Sequence, residues 1–221
     1  MSQWTRTALA LTLLVLLCGC GAAKLPFTYT YSSRETPAGN VVVALQGIRD
    51  NRTDREIDKI YANSPSNEVN TILKEEISGT GLVKSVVVKD SSGSADDLRS
   101  SGANFLVIPV LKELKWEVPG YDTIKTLAFT TSFLTGGVGG MIYGSTSTDV
   151  YGIAELSVRI VDVNSTDVLD KAYTARIEDR KAKLVCDTPG TKSEMVGRAL
   201  KEAVDKFRAD FIAFVQNHTK N

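Results

Sequence analysis

Asn40-Val41-Val42-Val43-Ala44-Leu45 is the stretch on which the fold turns. Three consecutive β-branched residues favour a strand, and both the odd and the even positions are apolar. Neither pleat face therefore suits water, which places this strand inside a sheet. Downstream the period changes from two to three and four. Ser66 is the expected cap of a helix in which Val69, Ile72, Leu73 and Ile77 share a face, and Gly79 and Gly81 stop it. Leu82 to Lys89 reads as a second strand, and Ser94 to Ser100 as a short helix with acids in its first turn. Asn104 to Leu111 is a third strand that continues through Leu114 and Trp116. Its Pro109 lacks a donor, so an edge or a bulge is expected there. Strands alternating with helices imply an α/β layer.

The second half of the chain completes the sheet. From Val150 to Asp162 the apolar residues Ala154, Leu156, Val158 and Ile160 alternate with Glu155, Ser157 and Arg159. Asn164 to Asp167 is a turn and Val168 to Ile177 returns, so the two strands form an antiparallel hairpin with one face in water. Thr191-Lys192-Ser193-Glu194 reads as a capping box for a final helix reaching about Val215. Val196, Ala199, Leu200, Ala203, Val204, Phe207, Phe211, Ile212 and Val215 recur at three and four along it, the face expected to cover the core. The fold class that follows is α/β (α+β), a mixed sheet with an antiparallel hairpin and a C-terminal helix, in one domain over residues 40–217.

The opening residues carry an address. Arg6 is the only charge before an apolar run from Ala8 to Leu17 broken by Thr12, a run shorter than the roughly 20 residues a spanning helix needs. It ends on Leu17-Cys18-Gly19-Cys20, which resembles the lipobox of bacterial lipoproteins. Residues 1–19 are then a signal peptide, and Cys20 is the lipidated, palmitate-bearing residue and new N-terminus. Residues 20–39 form the lipidated end and tether, within which Phe27 to Tyr31 alternate as an edge strand would. Removing residues 1–19 takes away one base and no acid, leaving 25 basic against 26 acidic side chains. That balance offers no field for nucleic acid. Cys186 has no remaining partner, which excludes a disulfide framework, and its apolar surroundings suit an inert thiol.

Two stretches stand out as candidate sites. Between Lys125 and Asp149 there is no charge, and the segment holds Leu127, Phe129, Phe133, Val138, Met141, Ile142 and Tyr143 around Gly136, Gly137, Gly139 and Gly140. It reads as a Gly-rich excursion at 126–148: a loop packed on the domain or a neighbour, or a membrane hairpin of two strands. A helix through all four glycines would lose about 1 kcal/mol at each. The second stretch is a polar loop, with Arg49, Asp50 and Arg52 as candidate binding residues. Its arginines compete with any cation for Asp50, Asp54, Glu56 and Asp58, whose spacing matches no calcium loop, so no metal is expected. His218 is the only histidine and stands at the C-terminal tail, which argues against histidine-dependent catalysis; no enzyme activity and no cofactor are expected.

The lipobox, Val41 to Leu45, the Arg49-Asp50-Asn51-Arg52 turn, the Val69 to Ile77 helix, Gly102 to Ile108, Tyr151-Gly152 with Val161-Asp162 and the last helix together resemble envelope lipoproteins. Their α/β fold is that of the TolB N-terminal domain and the curli-secretion lipoprotein. The resemblance covers about Val41 to Val215. It implies a periplasm-facing binding or assembly module at the outer membrane, attached through the lipid on Cys20, with an envelope protein or a second copy as partner. Gly21 rather than Asp after the cysteine favours outer-membrane sorting by the same resemblance. A pore or export subunit using 126–148, and an auxiliary lipoprotein of a transporter, are the alternatives it suggests.

Overall fold

The computed structural model describes residues 24–36, 39–89, 102–134, 145–163 and 168–219. Cys20 and the expected signal peptide, the expected helix at 94–100, the expected hairpin turn at 164–167 and the site candidates Val138, Met141, Ile142 and Tyr143 lie outside them. The described elements are β1 (Val41–Gln46), β2 (Arg49–Asp50), a 3-10 turn (Glu56–Ile60), α1 (Pro65–Ser78), β3 (Val83–Lys89), β4 (Phe105–Glu117), α2 (Tyr121–Leu134), β5 (Ser147–Asp162), β6 (Val168–Ala182) and α3 (Pro189–Thr219). The fold is the expected α/β class.

One mixed sheet runs in the order β3-β1-β4-β5-β6, with β2 pairing β4. β1 lies between two parallel neighbours, the interior place its two apolar faces demanded. Pro109 is not at an edge. It pairs with Val158 of β5, while β1 reaches only to Val107 and β2 begins only at Val110, so the proline occupies the step where β4 changes its neighbour. The bulge comes two residues later, between Leu111 and Glu113. β5 and β6 form the expected hairpin, in register from Ser147 opposite Ala182 to Val161 opposite Val168.

α1 and α3 cover one face of this sheet. Val69, Ile72, Leu73 and Ile77 of α1 join Val196, Ala199, Leu200, Ala203, Val204, Phe207 and Phe211 of α3 over the inward residues of β1, β4 and β5. Both helices begin earlier than the sequence suggested. Ser64 precedes Pro65 at the start of α1, and Thr188 precedes Pro189 at the start of α3. A proline suits a first helical position, where its missing N–H would have no partner in any case. The cap of α3 is Thr188, whose Oγ1 accepts from the Thr191 N–H at 3.3 Å. Thr191 instead donates its hydroxyl to the Val185 carbonyl at 2.8 Å.

The chain N-terminal to β1 was expected as a tether. From Leu25 onward it lies along the domain. The Leu25 N–H donates to the Ile60 carbonyl at 2.7 Å, and the Ala62 N–H donates to the Leu25 carbonyl at 2.9 Å. Phe27 stacks on Tyr61 with ring centroids 4.8 Å apart. Glu76, a buried carboxylate inside the apolar face of α1, accepts from the Tyr29 hydroxyl at 3.0 Å and the Ser32 N–H at 2.9 Å. Burial, and then the neighbouring Glu76 charge, drive the Tyr29 hydroxyl pKa upward, so the phenol stays a donor. Arg208 of α3 closes the clasp with hydrogen bonds to the Ser33 and Gly79 carbonyls. The alternating aromatics form a strap clipped across α1 and α3, outside the sheet.

Candidate functional site

The polar loop holds itself together. Arg52 is 1% exposed, and its guanidinium forks between two carboxylates. Nε and Nη2 reach Asp50 at 2.9 and 2.7 Å, and Nη1 reaches Asp58 at 2.8 Å. Arg55 adds a contact to Asp50 at 3.1 Å. Of the three candidates, Asp50 and Arg52 meet each other, and Arg49 alone faces solvent. Burial pushes the Asp50 carboxyl up, but the hydrogen bonds from Arg52 outweigh it, and its pKa lies below the ordinary 3.8. The group therefore adds stability that is complete above 3.8 and is lost as pH falls through the depressed folded value. Arg52→Met should lower stability at pH 7 by about 3 kcal/mol, because it removes the buried cation that Asp50 and Asp58 share and leaves only the exposed Arg55 beside them. The gap from wild type should narrow as pH falls through the depressed Asp50 value, where protonation removes the charge that Arg52 holds. Urea melts at pH 7 and pH 3 check this; equal midpoints at pH 7 would show that the clamp is idle.

The excursion is the stretch the structure changes most. Residues 121–134 are the helix α2, so neither the loop nor the first limb of a hairpin describes Leu127, Phe129 and Phe133. Glycine cost had argued against a helix, but every glycine of the excursion follows Leu134. The turn into α2 is set by Val118-Pro119-Gly120, where Gly120 has φ +67°, a left-handed conformation that glycine adopts without strain. The Tyr121 N–H closes the turn on the Val118 carbonyl at 3.2 Å. Only the first turn is well seated: Ile124 is buried with Val118, Val150, Cys186 and Met195.

Beyond that turn α2 presents apolar side chains to the outside. Leu127 is 43% exposed, Phe129 75%, Phe133 81% and Leu134 75%. Phe129 and Phe133 are four residues apart and Leu127 and Leu134 seven, so each pair shares a side, and the four together span nearly half of the helix circumference with Thr126 and Thr130 between the pairs. Complete removal of such side chains from water is worth roughly 1.5–3 kcal/mol apiece. Three threonines on the same helix turn their hydroxyls inward. Thr126, Thr130 and Thr131 donate to the carbonyls of Asp122, Thr126 and Leu127 at 2.9, 2.8 and 2.5 Å. Leu184, 75% exposed, is a further apolar side chain in water, two residues before Cys186, which is buried with Ile124.

The foot itself is aromatic and basic. Trp116 and Tyr121 meet edge to face at 5.5 Å. Lys192 Nζ lies 4.4 Å from the Trp116 ring centroid and Lys125 Nζ 4.1 Å from that of Tyr121. Lys115 sits between Glu113 and Glu117, 3.0 Å from each, and its hydrogen bonds with Glu117 and Glu113 raise its pKa. A cavity of about 280 Å³ opens here, walled on its far side by Ile57 and Glu56 of the 3-10 turn. A larger groove of about 600 Å³ runs between the strap and α3, along Pro26, Thr28, Ile177, Ser193, Gly197 and Arg198. The apolar face of α3 marked that helix as the lid of the core, but no local signal showed that the strap would lie across it. Cys186 is fully buried, and burial pushes its thiol pKa up, the inert character expected of it. His218 is held in the last turn of α3, 2.7 Å from the Phe214 carbonyl and stacked on the Phe214 ring, where a loose tail was expected.

The sequence matches no protein-family model and no curated protein. Several solved structures are similar to it in part or along most of the chain. A homologue of a neuraminyllactose-binding hemagglutinin from Helicobacter pylori superposes with TM-score 0.50 at 11% identity, over 90% of this chain and 100% of that one. A PelC dodecamer from Paraburkholderia phytofirmans gives 0.38 at 10% identity, over 79% and 92%. A lipoprotein from Neisseria meningitidis gives 0.31 at 8%, over 63% and 84%. At these identities the likeness to the Helicobacter pylori structure is one of fold: a mixed α/β sheet with helices packed on it.

Proposed function

We propose that this chain is a non-enzymatic lipoprotein of the bacterial envelope, held by the lipid on Cys20 at the periplasmic face of the outer membrane. Its α/β body acts there as a binding or assembly module. The carrying observation is the lipobox Leu17-Cys18-Gly19-Cys20 standing only five residues before Leu25, the first residue clipped into the fold. The anchor thus places a rigid body directly at the membrane surface. The groove between strap and α3 and the apolar flank of α2 are the surfaces it offers there. The single histidine stacked on Phe214 and the buried Cys186 favour binding over catalysis. Cys20→Ala should abolish palmitate labelling and release the protein from washed membranes. A variant that keeps both has no lipid anchor at Cys20, and the reading fails.

A pore or export subunit is the second reading, favoured by the charge-free stretch 126–148. It requires ring-shaped particles in detergent, whereas a small discrete monomer or dimer on a sizing column would eliminate it. A pulldown from native membranes identifies the partner in either case, transporter components included.

A further inference from the structure

We infer that α2 is a second membrane attachment. Its flank of Leu127, Phe129, Phe133 and Leu134 enters the lipid leaflet that holds the acyl chains of Cys20, with Tyr121, Trp116 and Lys125 at headgroup level. This rests on the lipoprotein reading of Cys20. The first support is the preparation of the helix for a medium without water. No charge follows Lys125 before Asp149, and the hydroxyls of Thr126, Thr130 and Thr131 are already bonded to helix carbonyls, so burial in lipid strands none of them. The second is depth. Residues 126–134 rise about 13 Å, close to half of a hydrocarbon core about 30 Å thick. That suits one leaflet, and no helix among the described residues is long and apolar enough to cross a membrane.

The third support is the foot. Tryptophan and tyrosine favour the membrane–water boundary, and lysines there keep their ammonium groups among the headgroups while their stems lie along apolar surface. Trp116, Tyr121 and Lys125 stand where the apolar flank begins. The fourth is the reach of the anchor. The five Cα-to-Cα steps from Cys20 to Leu25 span at most about 18 Å. Leu25 is bonded to Ile60 at the end of the 3-10 turn, and Ile57 of that turn walls the cavity at the foot of α2. Leu25, the first residue clipped into the fold, and the foot of α2 are therefore at the same end of the described domain. A protein partner would normally meet a polar rim around an apolar centre, and residues 126–134 bring no charged group to build one.

The test uses full-length lipoprotein reconstituted in phosphatidylethanolamine–phosphatidylglycerol vesicles, carrying a polarity-sensitive fluorophore on Phe133→Cys. Phe129→Cys is a second labelling site, and Gln216→Cys, near the end of α3, is the reference. Cys186 is buried and stays unlabelled. The fluorophore at 133 or 129 should shift to the blue, lose quenching by aqueous iodide and be quenched by nitroxide-bearing lipid, at every protein-to-lipid ratio, while 216 behaves as in water. Iodide quenching at 129 and 133 equal to that at 216 would overturn the inference. So would shielding that grows with protein density together with disulfide formation between Phe133→Cys copies, which would assign the flank to a second copy of the chain. Intact mass and vesicle flotation report the lipid on Cys20 separately, so a failed anchor is distinguished from a failed helix contact.

Discussion

Phe207→Asp is expected to remove the cooperative thermal transition of the domain. Phe207 is fully buried at the centre of the α3 face, in ring contact with Tyr173 at 5.7 Å and Phe211 at 5.9 Å. Truncating such a side chain costs about 3–5 kcal/mol, and an unpaired carboxylate in its place adds several more. A domain of this size has only about 5–15 kcal/mol of stability in total. Val196→Asp, on the same face nearer the start of α3, should act alike. Circular dichroism through a melt is the measurement, and a native transition in either variant would mean that α3 is not the lid of the core.

Gly152→Val should displace α3 from β5. A Cβ at Gly152 would come within 2.0 Å of the Met195 carbonyl oxygen and 2.4 Å of its carbon. Those atoms are backbone of the helix, so no side-chain rotation relieves the clash and the helix must lift. Overpacking a core costs about 1–3 kcal/mol where side chains can yield; here a larger loss is expected, read as a drop in the urea midpoint with faster amide exchange in β5 and α3. An unchanged midpoint would show that the two backbones do not approach. A comparable approach holds the strap, where a Cβ at Gly197 would lie 2.3 Å from the Thr28 carbonyl oxygen.

The two variants separate what is local from what is not. The α3 face was legible because burial follows a period of three and four, and the residues named from that period are buried except Ile212, which is half-buried. Gly152 carried no such signal. A missing side chain records a close approach, but the approaching atoms come from a helix more than forty residues further on. Arg52 is similar. Its charge marked a polar loop, while its burial depends on Asp58 and on β2 docking against β4. Among site candidates, Leu127, Phe129 and Phe133 were picked out by composition, yet their conformation was read as loop or strand. Alternating threonines and aromatics suit either period, and the glycines beyond Leu134 obscured where the helix ends.

By itself the sequence determined the α/β class, the interior place of Val41 to Leu45, the β5–β6 hairpin and the lid helix, because each follows from a run of apolar residues at one period. It also carries Leu17-Cys18-Gly19-Cys20, the linear stretch on which the proposed lipid anchor rests. Only the tertiary structure decided that Leu25 to Thr36 is a strap, that Arg52 is engaged inside the fold, and that α2 stands with an apolar flank exposed. Those outcomes depend on which distant backbone and charged groups come within bonding distance, and no periodicity along the chain encodes that.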